Sequence, residues 1–118
     1  MISLLDHYRN QLKRLPLLIA LLVSVIVLFT PESGVPTAPP GTDKVVHFTL
    51  FAALAITGRL AGWRTSSLLP ALVAYAAASE VLQGLLPLGR SCDVLDGVVD
   101  VAGALLGWAA FALRPEAR

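Results

Sequence analysis

The chain has 118 residues, 56% of them hydrophobic and 14% charged, with a formal net charge of +1. A soluble domain of this size could not hide so much apolar surface, so the chain must use lipid as its solvent, and the near-balanced charge argues against a nucleic-acid partner. Cys92 is the sole cysteine, which excludes an internal disulfide and a cysteine-based zinc site.

Residues 2–14 mix apolar and polar side chains. Leu5, Tyr8, Leu12 and Leu15 recur at helical spacing, with Arg9, Lys13 and Arg14 elsewhere on the turn. This pattern predicts a short amphipathic helix at the membrane interface, with His7 an ordinary interfacial residue. The apolar run over 15–30 follows as the first predicted span. Its fifteen residues from Leu15 to Phe29 give roughly 22 Å of helix, short for a hydrocarbon core of about 30 Å, and Lys13 and Arg14 can snorkel to make up the length. A basic start and an apolar run also describe a signal peptide, but the stretch after Phe29 lacks an Ala-x-Ala site, so the segment is read as uncleaved. Pro31, Gly34, Pro36, Pro39, Pro40 and Gly41 then mark an exposed loop.

The second predicted span is 44–61, with Thr42 or Asp43 capping its first turn. Lys44, His47, Phe51, Leu54 and Gly58 fall on one helical face, with the polar groups gathered in the first two turns. Residues 61–67 form a turn, in which Trp63 and Arg64 are typical interface anchors. The third span, 68–86, is rich in alanine, which permits close helix packing. Tyr75 falls within it, and Ser79, Glu80 and Gln83 come near its end, before Gly84 and Pro87. The fourth span, 94–113, carries Asp96, Asp100, Gly103 and Gly107 on the face that begins at Asp93. Carboxylates thus occupy the first two turns of a face that continues as a Gly-x-x-x-Gly packing surface, suited to internal packing or to a dimer contact. Trp108 reads as packing or an interface anchor, and Cys92, with no base beside it in the chain, as an inert thiol.

The predicted architecture is therefore all-α: one domain, residues 1–118, forming an integral membrane four-helix bundle preceded by a short amphipathic helix. Four spans place both termini on one side. That side holds seven basic residues (Arg9, Lys13, Arg14, Arg59, Arg64, Arg114, Arg118) against Asp6 and Glu116. The other side holds Lys44 and Arg90 against Glu32, Asp43, Glu80, Asp93, Asp96 and Asp100. The lysine and arginine bias predicts cytoplasmic termini in a multi-pass protein of the cytoplasmic membrane. The start of span two, the end of span three and the start of span four then meet at the outer face.

The residues at those three places carry a resemblance. Asp43-Lys44-Val45-Val46-His47-Phe48, then Ser79-Glu80-Val81-Leu82-Gln83, then Arg90-Ser91-Cys92-Asp93-Val94-Leu95-Asp96 with Asp100 and Gly103 resemble the VanZ-like family of small bacterial membrane proteins. Its pattern is Asp-Lys-x-x-His-Phe, Glu-x-x-Gln, and Arg with Asp-x-x-x-Asn-x-x-Gly, in that order over about residues 15–113. Asp100 departs from it, standing where the family usually has asparagine. The resemblance implies a cell-envelope protein, in a family named for glycopeptide resistance and associated with teicoplanin; it implies no particular reaction.

The candidate polar cluster is thus Asp43, Lys44, His47, Glu80, Gln83, Arg90, Asp93, Asp96 and Asp100, with Gly103 and Gly107 for packing. Three readings of it stand side by side. In the structural one, Lys44 or Arg90 pairs with Glu80 or an aspartate, Gln83 and Ser79 satisfy backbone groups, and Asp93 or Asp96 caps the last helix. In the second, the cluster binds an anionic lipid or a cell-wall precursor; the excess of carboxylates then calls for a divalent cation at any bare phosphate. In the third, a membrane enzyme acts on a lipid-linked phosphate, with His47 or Glu80 as general base and carboxylates holding a metal. A structural partnership with another membrane protein is a further alternative. The sequence assigns no resident metal site, names no cofactor and leaves the oligomeric state open. Asp93-Val94-Leu95-Asp96-Gly97 begins like the motif of the CDP-alcohol phosphotransferases, but its remaining residues are missing, and a lipid phosphatase using two histidines is excluded because His7 lies on the opposite side.

Overall fold

In the computed structural model, residues 4–30, 41–86 and 94–113 are described, apart from the side chains at 6, 7, 10 and 43. Among the described residues there are four helices and no strand: α1 (Leu4–Phe29), α2 (Thr42–Leu60), α3 (Thr65–Leu85) and α4 (Val94–Leu113). The all-helical expectation holds. The amphipathic turns and the first apolar run are joined in one helix. Pro16 lies inside it and withholds a single backbone bond, to the Leu12 carbonyl, while good helix formers on both sides carry the helix through.

Local chemistry sets the turns. α2 opens on Gly41, whose φ of 89° suits glycine, and Val45 N–H donates to the Gly41 carbonyl at 3.2 Å. Gly41 thus takes the N-cap position that the sequence assigned to Thr42 or Asp43. α2 closes on Gly62 (φ 96°): Gly62 N–H donates to Arg59 O and Trp63 N–H to Gly58 O, both at 3.0 Å. These are the two bonds of a Schellman stop. Arg59 Nη1 donates to Trp63 O at 3.0 Å and tightens the same turn.

Helix direction follows from side-chain contacts. Lys44 meets Asp96, His47 meets Asp100 and Arg59 lies over the Phe111 ring, so α2 and α4 run parallel. Ser24 meets Tyr75 and Gln83 meets Leu28 O, so α1 and α3 run parallel. Trp108 Nε1 donates to Thr65 Oγ1 at 2.8 Å, and a Cβ on Gly58 would touch Leu68, so α3 is antiparallel to both α2 and α4. The end of α1, the start of α2, the end of α3 and the start of α4 therefore share one end of the bundle.

The largest helix interface is α2 on α4. Gly103 and Gly107 make it possible. A Cβ at Gly103 would collide with the Phe48 carbonyl, and one at Gly107 with the Ala52 carbonyl. These are backbone atoms, so the two helices touch main chain to main chain. The core is Leu28, Phe51, Leu54, Ala55, Leu68, Leu72, Ala76 and Ala104, with Tyr75 tilted against Phe51 at 5.6 Å between ring centres.

Much of the rest of the apolar surface faces outward. Leu18, Ile19, Leu22, Val25 and Ile26 of α1, Val73, Val81 and Leu82 of α3, and Leu105 and Leu106 of α4 are all exposed. Gln11–Phe29, Thr65–Leu85 and Val94–Leu113 are long and apolar enough to cross a membrane. α2 has a similar length but carries Asp43, Lys44 and Arg59, and it buries its stripe His47, Phe51, Leu54, Ala55 and Gly58 inside the bundle. Apolar side chains out and mixed side chains in is the arrangement expected of helices whose solvent is lipid.

Candidate functional site

Each inward stripe changes character along its length. On α2, His47 precedes Phe51, Leu54 and Ala55. On α3, Leu68, Leu72 and Ala76 precede Ser79, Glu80 and Gln83. On α4, Asp96 and Asp100 precede Gly103, Ala104 and Gly107. With the helix directions above, all three polar halves fall at the same end.

At the centre lies His47. Its Nδ1 is 2.8 Å from Asp100 Oδ1 and 3.8 Å from Glu80 Oε1. The three residues are 2%, 0% and 4% exposed. They come from three different helices, and one ligand-capable atom of each lies within 4.8 Å of the others. Gly97, one turn before Asp100, helps to seat Glu80: a Cβ there would be 3.6 Å from Glu80 Cγ, an ordinary contact.

One turn nearer the bundle end, Lys44 Nζ donates to Asp96 Oδ1 at 3.1 Å, with side-chain exposures of 36% and 10%. This pair forms a half-open rim over the buried trio. The neighbouring polar groups are engaged with backbone. Gln83 Nε2 donates to Leu28 O at 2.6 Å and ties α3 to the end of α1; Ser79 Oγ donates to Ala76 O at 2.9 Å. Ser24 Oγ and Tyr75 Oη share a hydrogen bond of 2.8 Å, and Ser24 also donates to Leu21 O.

The nine residues of the sequence-derived cluster thus separate. His47, Glu80 and Asp100 form the trio, Lys44 and Asp96 the rim, and Gln83 a backbone tie. The Asp43 side chain, Arg90 and Asp93 lie outside the described residues, as does Cys92. Gly103 and Gly107 serve the contact of α2 with α4 inside this chain. Sequence reasoning missed Ser24. It is a single hydroxyl in an apolar run, with no periodic signal to mark it.

The trio's chemistry follows from its setting. An imidazole held by a carboxylate is fixed in orientation, and a second carboxylate beside it is a further proton acceptor or metal ligand. Ionisable side chains at this depth are costly unless paired, and such groups mark functional positions in membrane helices.

A family model described as VanZ/LLP1 matches residues 8–114. No curated protein and no solved structure matches the chain.

Proposed function

The chain belongs to the VanZ/LLP1 family, and on that premise we propose that it is a cell-envelope membrane protein that holds the polar head of a lipid or peptidoglycan-related ligand at the outer face. In this reading all four helices cross the bacterial cytoplasmic membrane, and both termini are cytoplasmic. The physiological readout is the response to a glycopeptide such as teicoplanin.

The observation that carries the reading is the stacking of the half-open Lys44–Asp96 pair on the buried His47–Glu80–Asp100 trio. A purely structural bundle needs no such column, since apolar residues of the same volume often serve stability as well or better. A headgroup entering from the outer leaflet meets the Lys44 ammonium and Asp96 first. The starts of α2 and α4 lie at the same level and present backbone N–H groups there.

The test is native mass spectrometry of the detergent-purified protein with phosphatidylglycerol and with phosphatidylcholine. Preferential retention of phosphatidylglycerol, lost in Lys44→Ala while helicity and elution volume are kept, supports the proposal. Equal retention of both lipids by both proteins overturns it.

A second reading, a membrane enzyme acting on a lipid-linked phosphate, is favoured by the His47–Asp100 contact, because a carboxylate-oriented imidazole beside Glu80 suits general-base work. It predicts phosphate release from a lipid-linked phosphate, abolished by His47→Gln with lipid retention unchanged.

A further inference from the structure

We infer that His47, Glu80 and Asp100 form a site for one divalent transition-metal ion, of the zinc or manganese class, held between α2, α3 and α4. Geometry is the first support. Nδ1 of His47 lies 2.8 Å from an Asp100 oxygen and 3.8 Å from a Glu80 oxygen, and the three ligand atoms fit within 4.8 Å. Ligands at ~2.0 Å from a tetrahedral ion are about 3.3 Å apart. Closing the trio around an ion therefore needs small side-chain movements and no helix displacement.

Burial is the second support. The three side chains are almost wholly inaccessible, so an ion held among them would be shielded from bulk water.

Donor chemistry is the third. One imidazole nitrogen and two carboxylates suit zinc, manganese or iron, while calcium and magnesium prefer all-oxygen shells. Gln83 and Ser79 donate to backbone carbonyls, which leaves the trio as the ligand set among the described residues. Three protein ligands leave a coordination position open, and the partly exposed Lys44 lies one turn away at the bundle end. The site stands whether or not a lipid head reaches it, so it goes beyond the reading above.

The full chain, purified in detergent, is stripped with a chelator and dialysed against cobalt or zinc. The expected result is one ion per chain by elemental analysis, with a cobalt visible spectrum. His47→Gln and Glu80→Gln lower affinity at least about tenfold, and Lys44→Ala retains the ion. Stoichiometry far below one in the unaltered protein, or equal affinity in folded trio variants, overturns the inference. If the variants do not fold, the unaltered protein decides. Loaded with one equivalent of copper, it shows nitrogen spin-echo modulation from a single imidazole that persists in His7→Ala; absence of that signal, or its loss in His7→Ala, overturns the site. Metal binding without lipid preference sinks the functional proposal alone, and lipid preference without metal sinks this inference alone.

Discussion

His47 and Asp100 meet at 2.8 Å across the interface of α2 and α4, and both side chains are almost wholly inaccessible. The contact joins two residues more than fifty positions apart in the chain. It depends on the parallel register that Gly103 and Gly107 allow, because each lies one turn further along the same face.

Removing one side of this pair leaves the other buried without its partner. Asp100→Ala is expected to destabilise the fold by roughly 3 kcal/mol, the usual scale for breaking a buried charged pair. Asp100→Asn keeps an acceptor oxygen at the same place and is expected to cost about 1 kcal/mol. Thermal unfolding in detergent, followed by circular dichroism, ranks the two. Equal losses would mean that the contact contributes by shape alone.

Gly103→Ala and Gly107→Ala place a methyl group against the backbone carbonyls of Phe48 and Ala52. Backbone cannot rotate away as a side chain can, so α2 and α4 must separate, at an expected cost of about 1–3 kcal/mol each. Gly97→Ala is the control, since its Cβ would meet Glu80 Cγ at 3.6 Å, an ordinary contact. Midpoints that fall for 103 and 107 and hold for 97 assign the motif to packing within one chain. Unchanged midpoints with a smaller assembly on size-exclusion chromatography would assign it to a contact between chains.

Gln83 is the side chain that ties α3 to the end of α1. Gln83→Leu conserves volume but leaves the Leu28 carbonyl without that donor, with an expected loss of about 1–2 kcal/mol. Loosening should centre on the last turns of α1, because the tie is at Leu28 and the packing of α1 on α2, through residues such as Leu17 and Ala20 on the core, does not involve Gln83. Faster amide exchange over residues 24–30, with α2 and α4 unchanged, is the expected pattern. Uniform acceleration across all helices would mean that α1 is integral to the core.

The stripes were legible in the sequence because they obey helical spacing. Lys44, His47, Phe51, Leu54 and Gly58 read as one face, and all of them turn inward, Lys44 least. The convergence of three polar stretches at one end was legible from span counting. Which carboxylate meets which cation was not. Asp96 and Asp100 share a face one turn apart, and only the offset between α2 and α4, set by backbone contact at Gly103 and Gly107, sends Asp96 to Lys44 and Asp100 to His47. At the other end of the chain the amphipathic turns and the first apolar run, read apart in the sequence, form one helix, because Pro16 inside a strongly helical run removes one bond and the helix continues. Ser24 carried no periodic signal, so its bond to Tyr75 could not be anticipated.

The side of the membrane that the trio faces is so far a prediction from charge alone, and it can be measured directly. Cys92 is the sole thiol and lies between Glu80 and Asp96 in sequence, on the connection at the trio's end of the bundle. The excess of lysine and arginine on the side of the termini predicts that this connection is external. A membrane-impermeant maleimide should therefore label Cys92 in intact cells. Labelling only after permeabilisation would place the Lys44–Asp96 rim in the cytoplasm and remove every outer-face ligand from consideration. The metal inference would survive that outcome, because it rests on the distances among His47, Glu80 and Asp100 rather than on the compartment they open to. A thiol that reacts only after denaturation would call for the same experiment at a cysteine placed at Ser67, in the exposed first turn of α3 at the opposite end, where the charge argument requires labelling only after permeabilisation.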